Sequence, residues 1–529
     1  MPTRLLAGAL LLLAAIQPLL AQQPCSSLSA LTLQHTTITS AAVVPEGAIQ
    51  AAGGGNAASV VVPARCEVQA ITRPSKDSEI RLQVWLPVSG WNGKYLQLGN
   101  GGWAGQINQG GMAGPLRSGY AVAATDDGHT SAAPGASWAV GHPEKLIDFG
   151  YRAVHETSVQ AKDILRAFFG RGTTRSYFSG CSDGGREALM EAQRYPEDFD
   201  GIIAGAPANN WSHLFTGFVW NEQAMAETPI PAAKLPVIQN GVLSACDGID
   251  GVKDDLIEDP RACHFDPASL LCKADDTSNC LTEGQVATLR KIYSGPKNPR
   301  TGKQIFPGWP VGTEAVPGGW SPWILPPGLQ SSFGDSYYGQ AVFEQSNWDF
   351  RTLNFDTDVE FGDAKAGPVL NATNPDLRSF RDNGGKLIQY HGWGDAAISP
   401  LSSIEYYESV RAFVGRFPDA RHEKTDTMDF YRLFLVPGMA HCGGGIGPND
   451  FGNAGNSTRT DAEHNILSAL EAWVERDTAP AKIVGSGRAV DDPTKTLTRP
   501  LCPYPQTAHY RGTGDPNDAN NFVCTVSAK

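Results

Sequence analysis

Gly180-Cys181-Ser182-Asp183-Gly184 is the one GxSxG string in the chain, and its residue types suit nucleophilic catalysis. A serine hydroxyl attacks poorly until a neighbouring base takes its proton. Small residues on either side allow a strand and a helix to pass closely, so that the serine between them can occupy a sharp, strained turn with its Oγ aimed out of a sheet. The surrounding pattern supplies that setting. Tyr177-Phe178 is β-like, and 187–195 reads as a helix that stops before Pro196. The same turn sets the amide of Asp183 at a helix N-terminus, where it can donate to an oxyanion.

The base must be a histidine, and in this kind of fold the order along the chain is Ser, acid, His. Five histidines lie well downstream of Ser182: His391, His422, His441, His464 and His509. His464 falls inside a helical pattern over 461–475, and His422 sits in a charged loop with Arg421 and Glu423. His441 follows a β-like run ending in Val436-Pro437-Gly438 and lies in a glycine-rich loop, the expected place for a loop-borne base. The acid belongs after the preceding strand, where Tyr390-His391-Gly392-Trp393-Gly394-Asp395 offers Asp395 as its one carboxylate. His391 precedes that acid in the same loop, the wrong topological position for the base, and reads as structural or substrate-lining. A second oxyanion donor belongs to an earlier strand-to-helix loop. Leu98-Gly99-Asn100-Gly101-Gly102-Trp103 fits, with Gly102 as the expected donor. Cys181 precedes the serine and Cys442 follows the histidine. A disulfide between them would fix the two reacting groups covalently at short range.

Elements able to hold these residues alternate along the chain. Strands are expected at 80–86, 94–98, 120–124, 201–205, 386–390 and 431–436, and helices at 153–169, 402–413 and 461–475. Alternation of this kind gives a parallel sheet with helices on both faces, an α/β class fold. Between about 210 and 375 the alternation is lost and Pro, Gly, Trp and Cys become frequent. The simplest arrangement is an α/β-hydrolase domain (22–209 and 376–529) interrupted by a lid domain (210–375) over the edge where open α/β sheets carry their sites.

The 529 residues carry a net charge of -13, which argues against nucleic acid and anionic membranes as partners. The first 21 residues read as a signal peptide: Arg4, an apolar run from Leu5 to Ile16 too short to span a bilayer, and Ala21 before polar Gln22 and Gln23. Ten cysteines in an exported chain, secreted or periplasmic, imply disulfides. Sequence does not fix their connectivity, but local closure favours Cys246 with Cys263, Cys272 with Cys280, and Cys502 with Cys524. Inside the insertion, Asp247 to Leu256 concentrates carboxylates in a glycine-containing loop that suits a hard cation. It is no EF-hand, since Val252 stands where that loop requires glycine. Calcium held by side chains of Asp247, Asp250 and Asp254 and by the carbonyls of Val252 and Leu256 is expected, as a brace rather than a reagent.

Taken together, Gly180-Cys181-Ser182-Asp183-Gly184-Gly185-Arg186, Tyr390-His391-Gly392-Trp393-Gly394-Asp395, Pro437-Gly438-Met439-Ala440-His441-Cys442 and the Asp247 loop after Cys246 resemble the tannase and feruloyl esterase family across nearly the whole mature chain. The resemblance implies triad roles for Ser182, Asp395 and His441, the Cys181–Cys442 bridge, calcium at the Asp247 loop, and Cys25–Cys66 as the remaining disulfide. It also implies small aromatic esters as substrates: hydroxycinnamates by default, with gallates and mono(hydroxyethyl) terephthalate as alternatives. Trp211, Phe215, Trp320, Trp323, Phe333, Tyr337, Tyr338 and Trp348 could supply an acyl site, and Ile398 could border it. A terephthalate half-ester would need an inward-facing arginine, drawn from Arg261, Arg290, Arg300 or Arg351. A binding protein without activity is the reading from a different class.

Overall fold

A computed structural model describes residues 22–50, 59–131, 135–273, 278–416, 426–455, 459–490 and 492–526. The expected signal peptide and His422 lie outside the described residues. Nine strands form the main sheet: β1 (Thr36–Val44), β2 (Arg65–Thr72), β3 (Ile80–Pro87), β4 (Lys94–Leu98), β5 (Ala121–Thr125), β6 (Arg175–Cys181), β7 (Gly201–Gly205), β8 (Lys386–Gly392) and β9 (Tyr431–Val436). Their spatial order is β1-β2-β3-β5-β4-β6-β7-β8-β9. The first three are antiparallel to their neighbours, and from β5 to β9 every pairing is parallel.

Alternation along the strands explains the layers. Tyr95, Ala121, Ala123, Phe178, Ile202, Ala204, Leu387 and Leu433 pack on one face against Val154, Ala161, Ile164 and Leu165 of helix Ala153–Phe169 and against Tyr407 and Val410 of helix Pro400–Val414. Their neighbours Leu96, Val122, Ala124, Tyr177, Ile203, Ile388 and Phe434 face the other way, onto Met112 and Leu116 of helix Gln109–Arg117 and Leu470 and Trp473 of helix Ile466–Arg476. Each such side chain removed from water stabilises the fold by about 1.5–3 kcal/mol.

The β-like runs expected over 94–98, 201–205 and 431–436 are strands β4, β7 and β9, and the helix over 153–169 is present end to end. The last helix begins later than its apolar pattern suggests. Asn465 caps it by accepting from the Ser468 amide, so His464 stands before the helix, in a turn where Asp461 accepts from its amide and its ring. The segment between β7 and β8 adds no strand to the sheet among the described residues. Its helices Trp211–Glu227, Leu235–Cys246 and Glu283–Ser294 share an aromatic-rich core with Trp103, Phe149 and Ala396–Ile398, residues outside that segment.

Candidate active site

Ser182 directly follows β6 and immediately precedes helix Asp183–Arg194, with φ 67° and ψ −121°. A non-glycine residue held there stores about 1–3 kcal/mol of strain. The glycines around it are required by contact. A Cβ on Gly180 would lie 2.4 Å from the Gly184 carbonyl oxygen, and one on Gly185 would lie 2.2 Å from that of Gly205. This explains why the helix begins at Asp183, four residues before the sequence pattern suggests: two poor helix formers open it because nothing larger fits. As the first residue of the helix, Asp183 has an amide without an intrahelical acceptor, and it lines the same cavity as Ser182.

Asp395 follows β8 and is 1% exposed. Its Oδ1 accepts from the amides of Ala397 and Ile398, both at 2.8 Å. Its Oδ2 faces two imidazoles, His441 Nδ1 at 2.8 Å and His391 Nε2 at 3.1 Å. Burial alone would push this carboxyl up; the charges and hydrogen bonds of His441 and His391 outweigh burial and hold it well below the usual carboxylate range. A chain of donors fixes the His391 tautomer: Gln389 donates to Ser403 Oγ at 2.6 Å, leaving that hydroxyl to donate to His391 Nδ1 at 2.7 Å, so Nε2–H donates to Asp395. His391 is therefore a buried positioning residue for the acid and does not line the cavity, which selects the structural of the two roles its sequence position allows.

The His441 loop is laced to the Asp395 loop by Trp393 N–H to the Val436 carbonyl and Gly394 N–H to that of Met439, both 2.9 Å. The Cys181–Cys442 disulfide joins it to the nucleophile turn, with Cα atoms 5.9 Å apart at a sequence separation of 261. The other bridges are Cys25–Cys66, Cys246–Cys263, Cys272–Cys280 and Cys502–Cys524. Closing so long a loop constrains the unfolded chain. The double variant Cys181→Ser/Cys442→Ser is expected to lose about 2–4 kcal/mol in urea titrations, and more activity than that loss explains at temperatures where it stays folded, because the histidine loop is released.

Ser182 and His441 share a cavity of about 320 Å3 with Gly102 and Asp183. Its walls are Trp211, Leu214, Phe215, Phe218, Trp323, Phe333 and Ile398. Phe218 and Leu214 were not singled out from the sequence, whereas Trp320, Tyr337 and Tyr338 are buried in the core of the inserted segment. Trp323 meets the His441 ring edge-on, with centroids 5.1 Å apart. Gly102 has φ +60° and lies against Phe333. A larger cavity of about 550 Å3 lies behind the Cys181–Cys442 bridge, but its lining includes neither Ser182 nor His441.

In the Asp247 loop, Asp250 accepts from the Val252 amide at 3.0 Å and Asp254 from that of Leu256 at 3.2 Å. Asp247 keeps a buried Oδ1 without a partner. Arg499 pairs with Asp254 Oδ2. Carboxylates gathered with one orphaned oxygen fit a hard cation, although their donor atoms are not drawn together within 4.8 Å, as those of His155, Glu191 and Asp198 are.

A mostly parallel sheet that presents a strained serine at the end of β6, with an imidazole and a carboxylate on the loops after β9 and β8, defines an α/β-hydrolase. The profile of the tannase and feruloyl esterase family matches residues 66–525, and the chain belongs to that family. An uncharacterized esterase of Xanthomonas campestris is 42% identical, the match covering 98% of this chain and 94% of that protein. The crystal structure of feruloyl esterase B from Aspergillus oryzae superposes with a TM-score of 0.86 at 30% identity, over 95% of this chain and 99% of that one. Tannin acyl hydrolase from Aspergillus niger shares the fold, with a TM-score of 0.75 at 22% identity over 96% and 94% of the two chains. The protein is thus a carboxylic ester hydrolase of the feruloyl esterase and tannase type, and the reading as an inactive binding protein falls away.

Proposed function

We propose that the protein is an exported serine esterase that releases hydroxycinnamic acids, ferulic acid among them, from their esters through an acyl-enzyme. His441 takes the proton of Ser182 as Oγ attacks the ester carbonyl. Asp395 holds His441 with Nδ1–H turned inward and stabilises the imidazolium. The amides of Asp183 and Gly102 receive the oxyanion. The alcohol leaves with a proton from His441. Water, activated by the same imidazole, then releases the aromatic acid. The segment 210–375 acts as a lid whose Trp211, Phe215, Trp323 and Phe333 enclose the acyl group.

The observation that carries the substrate reading is the chemistry of the cavity wall. Among the described residues no arginine or lysine lines it. Arg261, Arg290, Arg300 and Arg351 are each paired with an aspartate elsewhere: Asp259, Asp266, Asp356 and Asp349. The free carboxylate of a terephthalate half-ester would be buried without a counter-ion, and the hydroxyls of a gallate would meet aromatic faces. A largely apolar cinnamoyl group matches the wall. In side-by-side assays kcat/KM for methyl ferulate is expected to exceed that for methyl gallate and for mono(hydroxyethyl) terephthalate by at least about tenfold, the scale of one unmatched polar group. Equal or reversed preference contradicts the assignment.

Calcium in the Asp247 loop would be held by the side chains of Asp247, Asp250 and Asp254 and the carbonyls of Val252 and Leu256, and would brace the lid. Removal of metal, verified by elemental analysis, is expected to lower Tm by several degrees, with recovery on adding calcium but not magnesium. An unchanged Tm removes the proposal. Export is supported by the leader-like first 21 residues and the five disulfides. No helix of the described residues is long and apolar enough to cross a membrane.

A further inference from the structure

Behind the nucleophile turn lies a group of carboxyls that the mechanism does not use. Asp127, Asp183 and Glu187 are 0%, 1% and 2% exposed, and they bring carboxylate oxygens within 4.8 Å of one another. Asp127 adopts φ 58°, a strained conformation for an aspartate, and neither of its carboxyl oxygens has a partner in hydrogen-bonding geometry, the Asn100 side-chain amide being the one donor that faces it. Glu187 uses Oε2 to accept from the Asn100 amide at 2.9 Å, while its Oε1 is buried without a partner. The group is built in: a Cβ on Gly99 would lie 2.6 Å from Glu187 Oε2.

Counter-charge nearby is already committed. Arg186 donates to Asp183 Oδ1 at 2.6 Å and to the carbonyls of Phe149 and Gly150. Arg152 serves Asp148 at 2.6 Å, and the Asp126 carboxyl takes the amides of Arg81 and Gly128. His129 is kept neutral by burial, which lowers its pKa to about 4. Glu191, one turn further along the helix, is itself buried. Two carboxylates this close and this dry cannot both be ionised.

We propose that Asp127 and Glu187 share one proton between Glu187 Oε1 and the Asp127 carboxyl, and that the pair is a positioning element for the oxyanion loop. One side of Glu187 grips Asn100, whose carbonyl in turn accepts from the Gly184 amide at 2.9 Å. Asn100 leads directly into Gly101 and Gly102. The shared proton therefore locks the two oxyanion donors, on the loop and on the helix, into one geometry. It also removes a negative charge from behind the place where negative charge develops. Burial, followed by the charge of Glu187, drives the Asp127 carboxyl well above the usual range, which agrees with a proton retained at neutral pH. As pH rises Asp127 gives up this proton, the two carboxylates repel, and the loop loosens.

The inference rests on the esterase reading for its effect on rate, so the test separates the two. In the infrared difference between wild type and Glu187→Gln at neutral pH, one protonated-carboxyl carbonyl band is lost; no lost band overturns the proposal, whatever the enzyme's activity. Glutamine places its oxygen on Asn100 and its amide on Asp127, so Glu187→Gln is expected to restore most of the kcat that Glu187→Ala loses. That loss is about 10–100-fold, with KM changed less than about twofold. The alkaline fall in wild-type kcat is expected to vanish in Glu187→Gln. Glu187→Gln with the wild-type alkaline fall, or Glu187→Ala with wild-type kcat, overturns it. If Glu187→Ala does not fold, the infrared band and the Glu187→Gln pH profile decide.

Discussion

Ser182→Ala is expected to fold with the wild-type Tm and to hydrolyse aromatic esters at least about 10^4-fold more slowly than wild type. Alanine occupies the same strained backbone at φ 67° no less easily than serine, and the 2.2 Å and 2.4 Å approaches that shape the turn involve Gly180 and Gly185, which are untouched. What disappears is the Ser182 hydroxyl, which shares the apolar cavity with His441, Asp183 and Gly102. The residual rate would come from oxyanion stabilisation and binding with water as the attacking group. Steady-state turnover of methyl ferulate with a parallel thermal melt checks both halves. Activity within tenfold of wild type would remove Ser182 from the mechanism.

Asp395→Asn should be nearly as damaging, about 10^4-fold in kcat, for a reason set by the local donors. The Ala397 and Ile398 amides both point at Oδ1, so the asparagine oxygen must take that side. Its NH2 then replaces Oδ2, opposite His391 Nε2–H and His441 Nδ1–H. Donors face donors. His441 escapes by moving its proton to Nε2, the nitrogen that should accept from Ser182, and catalysis stops. Stability changes with a definite sign. The Asp395 pKa is depressed in the fold, so its contribution is complete above the ordinary aspartate range near 4 and declines as pH falls through lower values. The gap in urea midpoint between wild type and Asp395→Asn is thus expected to narrow below about pH 4 and to be widest near neutrality. A gap that grows on acidification contradicts the pairing.

Sequence patterns revealed the elements that alternate cleanly. Strands β4, β7 and β9 and helix Ala153–Phe169 carry strong apolar periodicity, and the loops after β8 and β9 are marked by their glycines. The edge strand β1 and its neighbour β2 were not legible: β1, TTITSAAVV, is rich in small polar residues and has no fully buried position. Helix Gln109–Arg117, QGGMAGPLR, contains three glycines and a proline; packing of Met112 and Leu116 against the sheet overrides its poor propensity. Ser182, Asp395 and His441 could be nominated because chain order and loop position constrain a serine, an acid and a base. The contacts that tune them could not. His391 beside Asp395, Trp323 against His441 and Asp127 facing Glu187 arise only when the chain folds, and none leaves a motif.

Covalent trapping examines the role of Ser182 most directly. After brief exposure to a slowly deacylating aryl ester and an acid quench, peptide mass spectrometry is expected to find one acyl adduct, on Ser182, in proportion to the burst of released alcohol, and none in Ser182→Ala. An adduct on another residue, or a stoichiometric burst with Ser182 unmodified, would contradict nucleophilic attack from the strained turn at the end of β6.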